Sequence, residues 1–458
     1  MIATARLFRD QPLRGTLPAH VTGVARDSRT LAPGMAYVAQ AAGAERERHL
    51  AEARARGAAV TIGAPGSGAE VTTPDPRWTY ARASAAAHGL DEACPPLVGT
   101  TGTKGKSTVT HLLWWCLGAG AARVGTIGWH DGQTEWANRQ TTPPPEELHT
   151  FLSSLPRGCP GVALEVSSHG ADQHRLAGLT LEALAVTGLG HDHLDYHGTL
   201  GAYLAAKLRA CALVRPGGLV VINADDPRAH AFVHAAYGRR VRLLGLDQGL
   251  ARTPAGWTLD GVPLPTPLRG DFNAWNAAAA VLLAEALGIP RATACARLAT
   301  CPPVPGRCER LAESPATYVD YAHTADSLAR IIAALRAEHP GAPLAIVFGC
   351  GGDRDTSKRA PMGAAAAAAD VVVITTDNSR SEAPAAIAAQ IRAGIPAGTQ
   401  VLDLPDRAEA IRAARTAVGP QGVVIIAGKG HETTQDILGT VTPWDDRAFV
   451  RSLTGGAP

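Results

Sequence analysis

The sequence predicts an α/β protein of three units, the second and third built on parallel sheets. Three observations carry this. From Pro95 onward, short apolar runs alternate with Ala- and Leu-rich stretches, the rhythm of β-α-β units. Nearly every polar cluster in this part of the chain begins where an apolar run ends. The Pro-rich run LATCPPVPGR (Leu298–Arg307) reads as a linker that separates two such regions.

Composition bounds the rest. A chain of 458 residues exceeds one ordinary core, so two to four domains are expected. Hydrophobic residues at 46% and charged residues at 18% describe a globular chain, not a disordered one. Lys and Arg number 43 against 41 Asp and Glu, and the net charge of +2 argues against general affinity for nucleic acid or membranes. The eight cysteines form no C-x-x-C pair, so reduced thiols are expected. The opening MIATARLFRDQPLRG lacks the apolar segment of a signal peptide, and no run reaches the roughly 18 apolar residues of a membrane span. A cytoplasmic location and no membrane insertion are expected.

Taken in order, the first unit (1–88) holds a turn-like DSR (Asp27–Arg29), the segment PGMAYVA and a helical stretch from His49 to Arg56, ending at Gly57. The second (89–308) opens with Leu97-Val98 leading into a glycine loop at Gly99, and Val162–Leu164 leads to Glu165. The third (309–458) has TYVDY, LAIVFG, DVVVITT and GVVIIAG as strands, followed by Asp320, Gly349, Asp377 and Gly428. The Ala-rich patch Gly363–Ala369 reads as helix. In open parallel sheets ligands bind beyond the carboxyl ends of the strands, so these polar residues should line one or two crevices.

GTTGTKGKST (Gly99–Thr108) lies between an apolar strand and the helical VTHLLWWCLG. Glycines let backbone N–H groups approach phosphate oxygens at the positive end of a helix. Gly102, Thr103, Lys104, Gly105, Lys106, Ser107 and Thr108 are the candidates: Lys106 for the outer phosphates, Ser107 or Thr108 for Mg²⁺. The pattern is a shortened one, because Thr100 stands where G-x-x-x-x-G-K-[ST] needs glycine. A plain strand-to-helix turn is the alternative.

EVSSHG (Glu165–Gly170) puts a carboxylate at a strand edge, and HDHLDYHG (His191–Gly198) packs three His and two Asp into eight residues. Mg²⁺ prefers oxygen ligands, so one His supplementing carboxylates fits better than an all-His site. Zinc lacks a nearby thiol. Lys207, from its residues alone, reads as a solvated lysine.

Together these motifs resemble the Mur ligase family, most closely its MurE type, the ligases that join an amino acid to a UDP-N-acetylmuramoyl dipeptide. The matching segments are GTTGTKGKST, EVSSHG with QHR (Gln173–Arg175), DHLDYHG, FNAWN (Phe272–Asn276), PGR (Pro305–Arg307), DYAHTADSL, GCGGDRD (Gly349–Asp355), KRAPMG, DNSRSE (Asp377–Glu382) and AGKGHE (Ala427–Glu432). They run in family order from residue 27 to about 447. The resemblance implies a small N-terminal UDP-binding domain, a central P-loop ATPase and a C-terminal Rossmann-like domain for the incoming amino acid. It implies that Lys106 holds ATP phosphates and that Ser107, Glu165 and His193 hold Mg²⁺, joined by Lys207 as a carbamate. Asn273, Asn276, Arg307 and Asp320 would complete the nucleotide site. Ser28, Thr141, Thr142, Ser167, Gln173 and Arg175 match contacts to the UDP-sugar peptide. A monomer is expected.

The chemistry implied is amide formation through an acyl phosphate, because a carboxylate is a poor electrophile; catalysis is then positioning and charge neutralisation. No general base is singled out. The amino acid rests on DNSR, where diaminopimelate-adding members carry D-N-P-R. Arg380 suits a distal carboxylate gripped bidentately. Arg354, Asp377, Asn378, Ser379, Gly428 and Glu432 match further contacts, Glu432 facing the distal ammonium. Meso-diaminopimelate is the expected substrate, with lysine or ornithine as the alternative. Ser379 replaces the motif's proline, Gly188 and His191 replace its Asn and Arg in T-N-L-S-R-D-H, and Gln140 replaces the Asn before Thr141. Folylpolyglutamate synthase shares the loop and the ligase chemistry but has no reason to carry DNSR, GCGGDRD and AGKGHE. A non-catalytic nucleotide-binding subunit would lack Lys106, Glu165 or His193, and all three are present.

Overall fold

The apolar runs are strands, and they sort into three principal sheets with separate cores. The computed structural model describes residues 1–137, 140–190, 192–268 and 270–455. Its chain divides into two compact units: residues 1–192, 199–264 and 276–298 form the first, and residues 193–198, 265–275 and 299–458 form the second.

The first unit holds two of the sheets. Val24–Ala25, Ala36–Val38, Val60–Gly63 and Val71–Thr72 make a four-stranded parallel sheet. Helices Gly43–Ala55 and Pro76–Ala87 contribute Leu50, Ala53 and Tyr80 to the cores against it. The helix expected from His49 begins six residues earlier, at Gly43. Its first turns, GAERER, are polar all round and give no apolar period to read.

The larger sheet places Ala122–Gly125, Val162–Glu165, Leu97–Thr101, Leu181–Val186, Val214–Asn223 and Arg240–Leu246 side by side, all parallel. Antiparallel strands Gly128–His130 and Glu135–Trp136 extend one side, and on the other Gly249–Thr253 pairs in parallel with Arg240–Leu246 before the antiparallel strands from Gly256 to Leu264. Leu97, Val124, Leu164, Leu184, Val220 and Phe232 pack in one cluster. Gly99, expected at the start of the loop, lies inside this sheet opposite Leu164 and Leu184. A Cβ there would come 2.8 Å from Leu181 Cδ1, so glycine serves packing at this position and the loop starts after Thr101.

In the second unit the order is Glu309–Glu313, Ala316–Asp320, Val423–Ala427, Leu344–Phe348, Val371–Ile374 and Gln400–Asp403, parallel after the first pair. Alternate residues feed opposite faces. Ile346, Phe348 and Ile374 join Leu328, Ile332, Met362 and Ile391. Val347, Val373 and Val424 join Ile411, Val418 and Val450. Both faces are covered, which is why these strands read as unbroken apolar runs instead of alternating ones. Of the Ala-rich patch expected as helix, residues 363–366 end helix Arg359–Ala366, while 367–369 form the turn beyond it.

Candidate active site

In the first unit the phosphate-type loop runs from the end of Leu97–Thr101 to helix Lys106–Leu117. Gly102 (φ 139°) and Gly105 (φ 83°) adopt backbone conformations that side chains resist. A Cβ on Gly102 would collide with Thr187 Oγ1, and one on Gly105 would lie 3.0 Å from Asn276 Oδ1. Thr103 fixes the loop from both sides. Its N–H donates to Gly188 O at 2.8 Å, and its hydroxyl lies 3.0 Å from Tyr203 OH and accepts Gly190 N–H at 2.8 Å. Gly188, a departure from the motif, therefore keeps a structural use of its own. Its φ of 127° suits glycine. His191, the other departure, lies outside the described residues.

Two lysines meet at this loop. Lys106 donates to Gly102 O at 3.0 Å and Thr103 O at 3.1 Å. Lys207, on helix Leu200–Ala212, donates to the same Gly102 O at 2.7 Å. Far from being solvated, Lys207 is 1% exposed and sits 4.8 Å from the Tyr203 ring centroid. Burial, and then the Lys106 charge, push its pKa well below the usual lysine range, against the opposing pull of Asp192. Burial thus favours the neutral amine over the ammonium. Lys104 pairs with Asp192 at 3.6 Å, and Ser107 and Thr108 are buried in the helix's first turn.

Glu165 ends the neighbouring strand, in register with Thr100, and is 1% exposed. Its carboxylate accepts Thr126 N–H at 2.7 Å and the Thr126 hydroxyl at 3.0 Å. Thr126 Oγ1 also lies 2.9 Å from Thr141 Oγ1, Thr142 Oγ1 donates to Glu165 O at 2.7 Å, and Ser167 N–H donates to Thr142 Oγ1 at 2.9 Å. Arg175 closes the network through Thr142 O (2.5 Å), Gln173 (2.8 Å) and Gln140. Thr141, Thr142, Ser167, Gln173 and Arg175 are thus one connected cluster beside Glu165. Gln140 works within it as a partner of Arg175. Ser28 is bound elsewhere, to Glu52 at 2.7 Å. Its loop is nonetheless tied to the segment after Thr142 by Arg26, which grips Glu146 at 2.6 and 2.9 Å.

The second unit contains His193 (φ 54°), Asn273, Arg307 and Asp320. The division between units falls within helix Phe272–Ala286, which carries both Asn273 and Asn276. Asp320 ends its strand and accepts Cys308 N–H and Ala322 N–H, each at 2.7 Å, while its carbonyl accepts Gly428 N–H at 3.2 Å. The Arg307 guanidinium lies 4.5 Å from the Tyr321 ring centroid.

Three loops gather at the carboxyl ends of adjacent strands here. Asn378 donates to Glu432 Oε2 at 2.8 Å and accepts Asp436 N–H at 3.0 Å. Arg380 (φ 48°) donates from Nη1 to Gly352 O at 2.6 Å and from its backbone to Asp436 O at 3.2 Å. Ser379 is 1% exposed, and its Oγ accepts Leu438 N–H at 3.4 Å, so the loop lacking proline is tied instead to strand Thr434–Ile437 and the turn beyond it. Gly428 leaves room for Asp377, whose Oδ2 would lie 2.6 Å from a Cβ. Arg354 is exposed in the glycine-rich loop. Sequence reasoning passed over Lys429, fully buried at the centre of this group, and Thr126, the clamp on Glu165. Lys429 lies inside AGKGHE, but only the folded chain reveals its burial.

Cradling glycines, a helix N-terminus, paired lysines and an oxygen-rich shell around Glu165 fit a Mg-nucleotide. Among the described residues no three His, Cys, Asp or Glu side chains gather as a metal cage. No described helix is long and apolar enough to cross a membrane.

The fold and this site define a phosphate-loop α/β protein with a second parallel-sheet domain whose strand ends collect paired charges. A model of the Mur ligase middle domain matches residues 100–284, and one of the Mur ligase glutamate ligase domain matches residues 306–430. The chain is 38% identical to a UDP-N-acetylmuramoyl-L-alanyl-D-glutamate–2,6-diaminopimelate ligase of Rhizobium meliloti, covering 95% of this chain and 94% of that one. A solved structure of a ligase with the same name matches with a TM-score of 0.66 at 31% identity, covering 94% of each chain. The chain belongs to the Mur ligase family. Folylpolyglutamate synthase of Mycobacterium tuberculosis, covering 84% of this chain and 96% of its own, matches with a TM-score of 0.62 at 18% identity, a likeness of fold alone.

Proposed function

We propose that this protein is an ATP-dependent ligase that adds meso-2,6-diaminopimelate to UDP-N-acetylmuramoyl-L-alanyl-D-glutamate in peptidoglycan synthesis. In this reading it works as a cytoplasmic monomer, with domains at 1–88, 89–308 and 309–458. The observation that carries the reading is the meeting of Lys106 and buried Lys207 at Gly102 O, one strand from Glu165. Bound ATP and Mg²⁺ would supply the phosphoryl group and the charge neutralisation that activate the glutamate carboxylate.

The chain's own residues do the rest. Lys106 exchanges loop carbonyls for phosphate oxygens, assisted by the backbone from Gly102 to Thr108. Burial favours the neutral amine of Lys207, whose lone pair would add CO₂ with loss of a proton to give a carbamate; this carbamate, Ser107, Glu165 and His193 are the groups that would hold Mg²⁺. Thr126 aims the Glu165 carboxylate. Asn273, Asn276, Arg307 and Asp320 hold the nucleotide, and Ser28 with the Thr141–Arg175 cluster holds the UDP-sugar peptide. Arg380 receives the distal carboxylate of the diamino acid and Glu432 its ammonium, within a pocket shaped by Arg354, Asp377, Asn378, Ser379 and Gly428. The test is ATP-dependent ligation of the UDP-dipeptide against a panel of diamino acids. The reading expects diaminopimelate to be fastest, and faster turnover with lysine or ornithine would overturn the assignment.

A further inference from the structure

Lys429 is 0% exposed, and its ammonium lies 3.1 Å from Asn378 Oδ1, 3.1 Å from Glu432 Oε2 and 3.7 Å from Asp377 Oδ1. Asn378 in turn donates to the same Glu432 Oε2 at 2.8 Å. A buried ammonium thus locks an amide and a carboxylate from two different loops into one orientation. Both bonds fall on Oε2, while the Glu432 side chain keeps 31% of its surface exposed. One carboxylate oxygen is committed inward, and the accessible remainder is left for a cation from outside. Behind the loop, Arg407 is closed off by Asp446 at 2.7 Å and by Ala427 O at 3.0 Å. Asp377, Glu432 and Asp446 therefore face Lys429 and Arg407, and counting Arg380 of the same loops the three acids are matched by three bases.

We infer that Lys429 is a positioning residue that sets amino-acid selectivity. It fixes Glu432 and Asn378, and its charge keeps the pocket balanced, as a zwitterionic distal end requires. This rests on the proposed reading that Glu432 and Arg380 receive the distal end of the diamino acid. Diaminopimelate brings both an ammonium and a carboxylate to that end, whereas lysine brings an ammonium alone. Removing the Lys429 charge would loosen Glu432 and favour the purely cationic competitor.

The test compares the wild type with Lys429→Met, Glu432→Gln and the double variant, using steady-state ligation with each of the three substrates varied and with L-lysine as competitor. Charged hydrogen bonds of this kind predict that Lys429→Met raises KM for diaminopimelate about 10- to 100-fold. KM for ATP and for the UDP-dipeptide stays within about twofold, and the kcat/KM preference for diaminopimelate over lysine falls by about tenfold or more. The double variant is expected to be no worse than the more impaired single variant, because Lys429 acts through Glu432. Multiplicative losses in the double variant, a uniform rise in all three KM values, or lowered stability with unchanged KM would each overturn the inference. An unchanged diaminopimelate KM in Glu432→Gln would instead overturn the amino-acid site itself. Should Lys429→Met alone fail to fold, the charge-relieved double variant set against Glu432→Gln still decides.

Discussion

Replacing Lys207 with methionine separates what the site costs from what it does. Lys207 is fully buried, shares the Gly102 carbonyl with Lys106, and has a pKa held well below 10.5 by burial and by the Lys106 charge. Between that lowered pKa and 10.5 the unfolded chain binds a proton that the folded chain does not. Wild-type stability therefore rises with pH through this window, at up to about 1.4 kcal/mol per pH unit, and the penalty vanishes above 10.5. Methionine fills a similar volume without a charge. One hydrogen bond of about 1 kcal/mol is lost, but Lys106 continues to satisfy Gly102 O. Replacing a buried ionic group with a packed apolar one is worth up to about 4 kcal/mol, so Lys207→Met is expected to be more stable by about 1–3 kcal/mol at pH 7.5. The assay is urea unfolding of both proteins in CO₂-free buffer from pH 7 to 10, with ligation measured in parallel. The stability gap should shrink as pH rises, while ligation is lost at every pH. Bicarbonate should stabilise the wild type and leave the variant unmoved. A variant less stable at pH 7.5, or a gap that ignores pH, would refute the reasoning.

Three further outcomes are expected. Gly102→Ala forces a Cβ into Thr187 Oγ1 at a φ of 139°; it should cost about 2–4 kcal/mol in denaturant unfolding and reduce kcat/KM for ATP at least about 100-fold. Arg380→Ala should raise KM for diaminopimelate by about 100-fold while ATP binding, followed by calorimetry, stays unchanged, because Arg380 bonds only within the second unit's loops among the described contacts. His149 is buried against Ser84 at 2.9 Å, and burial, with His88 nearby, lowers its pKa to about 3. The folded state holds it neutral, so stability is full above pH 6.5 and falls as pH drops toward 3. Between pH 7.5 and 5 the wild type should lose about 2 kcal/mol more than His149→Gln in urea unfolding.

The strands of the second unit were legible because both of their faces are buried, so composition alone marks Val371–Ile374 and Val423–Ala427. The phosphate loop was legible because Gly102 and Gly105 answer a backbone need that composition exposes. Gly99 misled for the same reason. Glycine followed by two threonines looks like a loop, yet here it is a gap left for Leu181, a contact from another strand. Lys207 shows the limit most plainly. Its helix gives no hint of burial, which arises from packing against a loop 105 residues away in sequence. Thr126 and Lys429 escaped notice because their partners, Glu165 and Asn378, are 39 and 51 residues distant. Gln140, a departure from the family motif, became intelligible only when the fold brought it to Arg175.

The central claim is that a carboxylate on the UDP-dipeptide is phosphorylated before the amine attacks. It is tested most directly by labelling that carboxylate with oxygen-18 and following the label by mass spectrometry during ligation. The account predicts one labelled oxygen in the inorganic phosphate for each amide formed with diaminopimelate. Amide formation that leaves the phosphate unlabelled, or that places the label in AMP, would contradict it.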